Sequence, residues 1–369
     1  MTDWGASGRR DTYSFDLVDP FTLAKTGTLD AEPSACSLTW AYDSDNIVSG
    51  KVTEVNSDFR LDGRDMLVRV NHHCECDGEV IDEALATMFV DNLDRTSRYR
   101  MTKRDLSLYG TLWRLSRDYL PSDFARAKGA NVIDAIKSLV NTAGGRFSIS
   151  QDAPTSRTFG ANIGFPIASN RMEAIVTMAG WIGCEIGTNP RGWVTIAPYV
   201  DPAKRSVAYT FTDGENCTYK PGIDWDNKRS EPVNRVIAYF TRERKPSDED
   251  ASIPLSARCM VDLPEEYEFS YGRSGRYRTE VLRVSDYCTQ AELESRAWSY
   301  LYANCGGPTS ILVEHPRIPG VEVGAVVDYR NSVDDPDPVS VRCLVTQQSI
   351  DRLGPGCMTQ SKLEIIRWR

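Results

Sequence analysis

Through the first 110 residues, apolar and polar positions alternate in short runs. TYSFDLVD, ACSLTWAY, NIVSGKVTEVN, RDMLVRVNHHCEC and LATMFVDN each read as a β-strand. Turn residues separate them at Asp19-Pro20, Leu61–Gly63 and Cys76–Glu79. Short strands at this spacing predict an antiparallel barrel or sandwich.

The period changes near Leu106. In LSLYGTLWRLSRDYL, Leu108, Leu112 and Leu115 fall on one side of a predicted helix. An internal repeat follows: NVIDAIKSLVNTAGGRFSI (Asn131 to Ile149) aligns with NRMEAIVTMAGWIGCEI (Asn170 to Ile186) at a constant offset of 39. Each copy opens on an Asn suited to cap a helix, with an acid three residues later (Asp134, Glu173). Apolar residues then recur at helical spacing, namely Ile133, Ile136, Leu139 and Val140 in one copy and Met172, Ile175, Met178 and Ala179 in the other. Gly144 and Gly183 stand where a left-handed residue stops a helix, and a short strand comes next. Residues 111–204 thus read as two helix–Gly–strand units, a pattern of structure and not of chemistry.

From Ser206 the β texture returns in VAYTFTD, NRVIAYFTRE, ARCMVDL, TSILVEH, VEVGAVVDYR, VSVRCLVTQQS and KLEIIRWR. One helix interrupts it over 290–304. It starts at the capping box TQAE (Thr289 to Glu292), carries Leu293, Ala297 and Leu301, and stops at Cys305-Gly306-Gly307-Pro308. The loops RKPSDEDAS and SYGRSGRYR read as exposed excursions beside the strand of Cys259. The architecture expected is a β domain over 1–110, a small α/β domain over 111–204 and a second β domain over 205–369 with one inserted helix.

Composition narrows the function classes. The 369 residues are 41% hydrophobic and 26% charged, an ordinary globular balance. No apolar run of about 18 residues predicts a membrane span, and the start MTDWGASGRRDTYSF lacks the apolar core of a secretory signal, so the chain is expected to fold in a cytoplasm. There its ten cysteines, with no CxxC pair among them, are expected to be free thiols packed as small apolar groups. A net charge of −9 argues against sequence-specific DNA binding, which basic patches supply.

The densest chemistry is VNHHCECDGEV (Val70 to Val80), which holds two of the three histidines and two cysteines. Asp77-Gly78 between β runs predicts a two-residue hairpin turn. Reading back from the turn, Met66, Val68, Val70, His72, Cys74 and Cys76 share one face, and Leu67, Arg69, Asn71, His73 and Glu75 share the other. The two histidines therefore point apart. Neighbours on one face are roughly 6.5–7 Å apart along a strand, whereas tetrahedral zinc draws its ligands to about 4 Å from one another. A buried strand end carrying small thiols accounts for the pattern, with a metal site on His72, Cys74 and Cys76 as the alternative that a bulge would be needed to make. No metal, cofactor-binding or catalytic residue is assigned.

Other templates are missing. The chain has no GxGxxG, GxxxxGK[ST], HExxH or GxSxG motif. His315 precedes Pro316 with no Ser or Cys beside it in sequence to suggest a triad. The paired acids of YDSDN, SDED and SVDDPDP sit in loop-like contexts, where solvated acidic loops are commoner than glycosidase pairs. The expectation is a non-catalytic, β-rich structural protein.

The order of these features resembles the bacteriophage tail hub (baseplate hub) family, which includes the N-terminal hub part of tail-associated lysins. The resemblance is carried by TYSFDLVDPFTLAKTGTLDAEPSACSLTWAY with NIVSGKVTEV, by LATMFVDNLDRTSRYRMTKRDLSLYGTLWRL, by FARAKGANVIDAIKSLVNTAGGRFSIS, and by NRVIAYFTRE, VSDYCTQAELESRAWSYLYAN and VEVGAVVDY. It implies a mainly β fold with an α+β insert, in which two tail-tube-like antiparallel β-barrels are joined by a small helix–strand domain. It also implies a homotrimer whose six barrels form a ring in the virion tail tip, assembled in the host cytoplasm. The partners it implies are the distal tail protein or tail tube ring, a central fibre or spike and the tape measure protein, with genomic DNA passing through without specific binding and no stable membrane insertion. The strand-like end KLEIIRWR leaves no room for an appended lysin module in this reading. Two competing readings stand beside it: a carbohydrate-binding or glycan-cleaving receptor-binding tail component, and a metal-dependent enzyme built on the His72–Cys74–Cys76 face.

Overall fold

A computed structural model of the chain describes all residues except 1–3, 5–7, 43–46, 56–65, 99–100, 214–216, 221–223, 228–231, 242–255, 266, 268, 285–289, 306–308, 332–338 and 367–369. The turn at Leu61–Gly63, the acids of SDED and SVDDPDP, all of YDSDN but its Tyr42, Thr289 of the capping box and Cys288 lie outside the described residues.

The N-terminal strands are β1 (Arg10–Val18), β2 (Lys25–Thr28), β3 (Ser37–Ala41), β4 (Val48–Val55), β5 (Leu67–Cys76), β6 (Glu79–Arg98) and β7 (Met101–Gly110). Next come α1 (Thr111–Ser116), β8 (Phe124–Arg126), α2 (Val132–Thr142), β9 (Phe147–Ile149), β10 (Ile163–Phe165), α3 (Arg171–Trp181), β11 (Cys184–Thr188) and β12 (Val194–Pro198). The remainder holds β13 (Val207–Thr212), β14 (Asp224–Asn227), β15 (Arg235–Thr241), β16 (Ser256–Asp262), the short α4 (Tyr271–Ser274), β17 (Thr279–Val284), α5 (Gln290–Asn304), β18 (Thr309–His315), β19 (Val326–Asn331), β20 (Val339–Ile350) and β21 (Thr359–Ile365). The fold is mainly β, as the alternation predicts.

Two compact units divide the chain. One comprises residues 1–222 and 313–363, and the other 223–312 and 364–369. This division by contact is a different partition from the division by texture at 110 and 204.

In the larger unit one sheet runs in the order β21-β20-β3-β4-β7-β6-β5-β1-β2, and β19 carries β13 beside β20. The two stretches of β texture in the sequence meet in this sheet, because β20 pairs antiparallel with β3 from Gln347↔Ala41 to Ile350↔Leu38. Most pairs are antiparallel. The exceptions among the C-terminal strands are β13–β19 and β15–β17, which run parallel. Phe15, Leu38, Val52, Val68, Val70, Met88, Leu106, Leu108 and Ile350 form the core under the sheet. Asp77 and Gly78 both take positive φ (50° and 79°), the primed turn that matches strand twist and fixes the β5–β6 register.

The helix expected from Leu106 starts later. Leu106 and Leu108 belong to β7, which pairs with β4 and β6, and only Thr111–Ser116 is helical. Gly110 marks the change: a Cβ there would sit 2.8 Å from Val48 Cγ1, so only glycine lets β7 end this close to β4.

The repeat is structural and longer than the sequence showed. Asn131 accepts the Asp134 amide, Asn170 accepts those of Met172 and Glu173, and α2 and α3 begin and end at an offset of 39. Strands β8 and β10 keep the same offset and pair with each other, Phe124 opposite Phe165. Both helices pack through Ile136, Leu139, Val140, Ile175 and Met178 over Leu112 and Leu115 of α1.

In the smaller unit α5 covers one face of the β16-β15-β17 sheet, with Leu293, Ala297 and Leu301 against Val236, Ala238 and Phe240. The stretch SYGRSGRYR is exposed from Tyr271 to Tyr277, as expected, yet it is ordered by contacts of its own. It forms α4, and the buried Asn234 side chain donates to Phe269 O, Ser274 Oγ and Arg276 O while accepting the Arg278 amide.

Candidate functional site

The β5 strand behaves as its alternation predicts. His72, Cys74 and Cys76 are buried on one face, and His73 lies on the other. Each histidine finds an acid across the β5–β6 ladder. His73 Nδ1 is 2.6 Å from Asp82 Oδ1 on the outer face, and His72 stands opposite Glu83 on the inner one. A bulge in β6 beside Val70 and Asn71 does not bend β5 into a chelate.

What gathers around His72 comes from neighbouring strands. On β1, Tyr13 lies opposite His72 and Asp11 opposite Cys74. The Tyr13 ring stacks on the imidazole at 5.0 Å. His72 Nε2 is 2.8 Å from Asp11 Oδ1, and Nδ1 is 3.4 Å from Glu83 Oε1. Arg9 clamps Asp11 through two hydrogen bonds of 2.7 and 2.8 Å. Beyond β6, Arg317 Nε donates to Glu83 Oε1 at 2.9 Å, and its guanidinium lies 5.8 Å from the Trp40 ring centre. The result is a string of alternating charge, buried except at the half-buried Glu83: Arg9, Asp11, His72, Glu83, Arg317.

Each member fixes the protonation of the next. Burial opposes charge throughout, but hydrogen bonds from His72 and Arg9 hold the Asp11 carboxyl below its ordinary range. Likewise hydrogen bonding to His72 and the charge of Arg317 outweigh burial at Glu83 and bring it down to about 2. The two carboxylates raise His72 against its own burial. As an imidazolium it donates from both nitrogens. Burial pushes the Cys74 thiol up to about 12, so it stays protonated.

Asp11, His72 and Cys74 bring ligand atoms within 4.8 Å of one another. This trio differs from the His72–Cys74–Cys76 set considered from sequence, because it converges across strands and not along one. The Asp11 carboxylate is already held by Arg9 and His72, so a cation would have to displace the guanidinium and deprotonate the thiol. The geometry fits an ion ladder that ties β1, β5 and β6 to the 315–322 segment better than it fits a metal centre.

His315 has a partner that sequence order hid. Its Nδ1 donates to Pro316 O at 2.7 Å, and its Nε2 accepts from Ser361 Oγ at 2.8 Å. Burial pushes this imidazole down to about 4, and both residues are 0% exposed, so the pair packs β21 and meets no substrate. The nine described cysteines carry no disulfide. No helix among the described residues is long and apolar enough to cross a membrane.

No protein-family model matches the sequence, and no curated protein is significantly similar to it. Solved structures are similar over nearly the whole chain. A tail protein from Neisseria meningitidis MC58 superposes with a TM-score of 0.64 at 14% identity, covering 96% of each chain. The 43 kDa tail protein of prophage MuSo2 from Shewanella oneidensis gives 0.63 at 11% identity, covering 97% of this chain and 98% of that one. A prophage tail protein from Listeria monocytogenes EGD-e gives 0.57 at 9% identity, covering 95% and 94%. The chain has the fold of these phage tail proteins.

Proposed function

We propose that the chain is a structural, non-enzymatic component of a phage-type tail tip, the hub that continues the tail tube. The observation that carries this reading is the similarity to tail proteins over 96–97% of this chain and 96–98% of theirs. The buried ion ladder agrees with it. Its charges are spent on one another, which suits a part that must hold its strands under load.

In this reading the β regions 1–110 and 205–369 serve as tube-like barrels, the 111–204 segment joins them, and three copies continue a sixfold tube as a closed ring. The ring contacts the distal tail protein or tube on one side and a central fibre or spike on the other, meets the tape measure protein, and lets DNA through. A net charge of −9 per chain, three times over −27, suits a lumen that does not grip phosphates. Native mass spectrometry of the chain with its adjoining tail protein, and imaging of the assembled tail tip, test the reading. A trimer in a sixfold ring is expected. A stable dimer in the particle, or a lumen lined by a dense ring of Arg and Lys, would overturn it.

A further inference from the structure

The outer face of β1, β5 and β6 floors a groove of about 620 Å³, within the size range of small-molecule sites. Its two ends differ in charge. At one end His73 and Asp82 are committed to each other. At the other, Lys25, Arg69 and Arg191 converge with the Trp193 indole.

The cations at that end are not equally spent. Lys25 is paired with Asp16 at 2.6 Å, and Asp16 also accepts from Asn71 at 3.0 Å. Arg69 uses two donors on neutral oxygens, Nε on Thr87 Oγ1 at 3.0 Å and Nη2 on Leu23 O at 3.1 Å. Among the described residues neither Arg69 nor Arg191 has a carboxylate within ion-pair distance. Burial lowers the Arg69 pKa, and the charge of Arg191 lowers it further, against the pull of Asp16. Two like charges stand together at a cost that an incoming anion would relieve.

The Arg69 side chain and the turn that carries Arg191 are anchored together. Thr87, 2% exposed, accepts from Arg69 and donates to Pro190 O at 2.8 Å in the β11–β12 hairpin. Gly192 of that hairpin takes φ +87°, and a Cβ there would come within 3.1 Å of Thr87 Cβ. One buried hydroxyl therefore locates Arg69 directly and the hairpin residues Arg191 and Trp193 through the turn. The hydrogen-bonded guanidinium of Arg69 and the exposed one of Arg191, beside a half-exposed indole and with Asn71, Ser14 and Thr12 along the floor, form a set that matches one anionic group on a polar ring. A polyanion fits less well, since its next charges would run into Asp16 and Asp82.

We propose that this groove binds an anionic saccharide, with the carboxylate or phosphate of the sugar between Arg69 and Arg191 and its ring against Trp193. The site is independent of the hub reading. Calorimetric titration of the full chain with glucuronate, glucose 6-phosphate, glucose and inorganic phosphate tests it. At least one anionic sugar should bind saturably and at least tenfold more tightly than glucose or phosphate. Arg191→Ala, an exposed change, should weaken that binding at least tenfold with unchanged thermal melting, and Trp193→Ala should weaken the sugar without affecting phosphate. The proposal fails if neither anionic sugar binds, if phosphate alone binds as tightly as both, or if binding survives Arg191→Ala. Glucuronate against glucose 6-phosphate then distinguishes a uronic-acid from a phosphorylated-sugar ligand.

Discussion

Asp11 and His72, 61 positions apart, meet at 2.8 Å with side chains 4% and 3% exposed. Their contact crosses from β1 to β5 in a fully paired register, so neither can leave without opening the ladder. A buried carboxylate this well partnered is costly to remove singly, because the cations it neutralises stay behind.

Asp11→Leu should therefore cost about 3–5 kcal/mol. The double change Arg9→Met with Asp11→Leu should cost markedly less, since no uncompensated guanidinium remains beside the leucine. Urea denaturation of both variants measures this. Equal losses would mean that Arg9 and Asp11 do not act as a pair.

The ladder gives stability a defined pH window. Glu83 titrates near 2 in the folded chain, below the ordinary carboxyl value of about 4.3. Asp11 is lowered too, so the contribution of both acids is present above that value and lost as pH falls towards 2. His72 is raised, so its contribution is full below about 6.5 and lost as pH rises through its folded value. Amide protection of β1, β5 and β6, taken relative to the intrinsic exchange rate at each pH, should be greatest between these limits. His72→Gln should flatten the alkaline side and leave the acid side sloping.

The two helix caps make equal local tests. Asn131→Ala and Asn170→Ala should each destabilise by about 1 kcal/mol. Asn131 and Asn170 also donate to Thr155 O and Ser116 O through their side-chain amides, so Asn→Asp should recover the cap but not the whole loss. Thermal melting of the single variants reads this directly.

Signals local in sequence were legible, and those made by distant pairing were not. Asp77-Gly78 announced a hairpin because positive φ at two successive residues needs that chemistry. The Asn131 and Asn170 caps, with Gly144 and Gly183, marked both repeat helices at both ends. The β8–β10 pair shared the repeat but carried too few apolar residues to show a period. Leu108 misled because its spacing to Leu112 and Leu115 is helical, while a strand pair with β4 claimed it. The faces of His72 and His73 followed from alternation alone. The partners Asp11, Glu83 and Arg317, and the Ser361 hydroxyl on His315, could not be read, because nothing in a single sequence sets β1 beside β5 or brings 361 to 315. The same limit hid the β3–β20 pairing that joins the two β regions.

Asn234 offers the sharpest test in the smaller unit. Its side chain is 2% exposed, with Nδ2 sharing its two hydrogens among three oxygens and Oδ1 accepting one amide. Together they tie residues 269–278 to the start of β15, beside the backbone bonds from the Asn234 and Arg235 amides to Arg278 O. Arg235 next to it reaches over the Tyr277 ring at 3.4 Å and pairs with Asp262. Asn234→Ala would leave the Phe269 and Arg276 carbonyls and the Arg278 amide without this partner, at a cost of about 1–3 kcal/mol for each group that stays buried. Asn234→Asp keeps the acceptor for Arg278 but turns the other oxygen, now an acceptor, towards two carbonyls, so it should be no better than alanine at neutral pH and should recover in part as the carboxyl protonates. Amide exchange of residues 269–278 and 235–241 should accelerate in both variants, while β1, β5 and β6 keep wild-type protection. Uniform acceleration across β1, β5 and β6 as well would mean that the two units unfold as one and that Asn234 is not a local clasp.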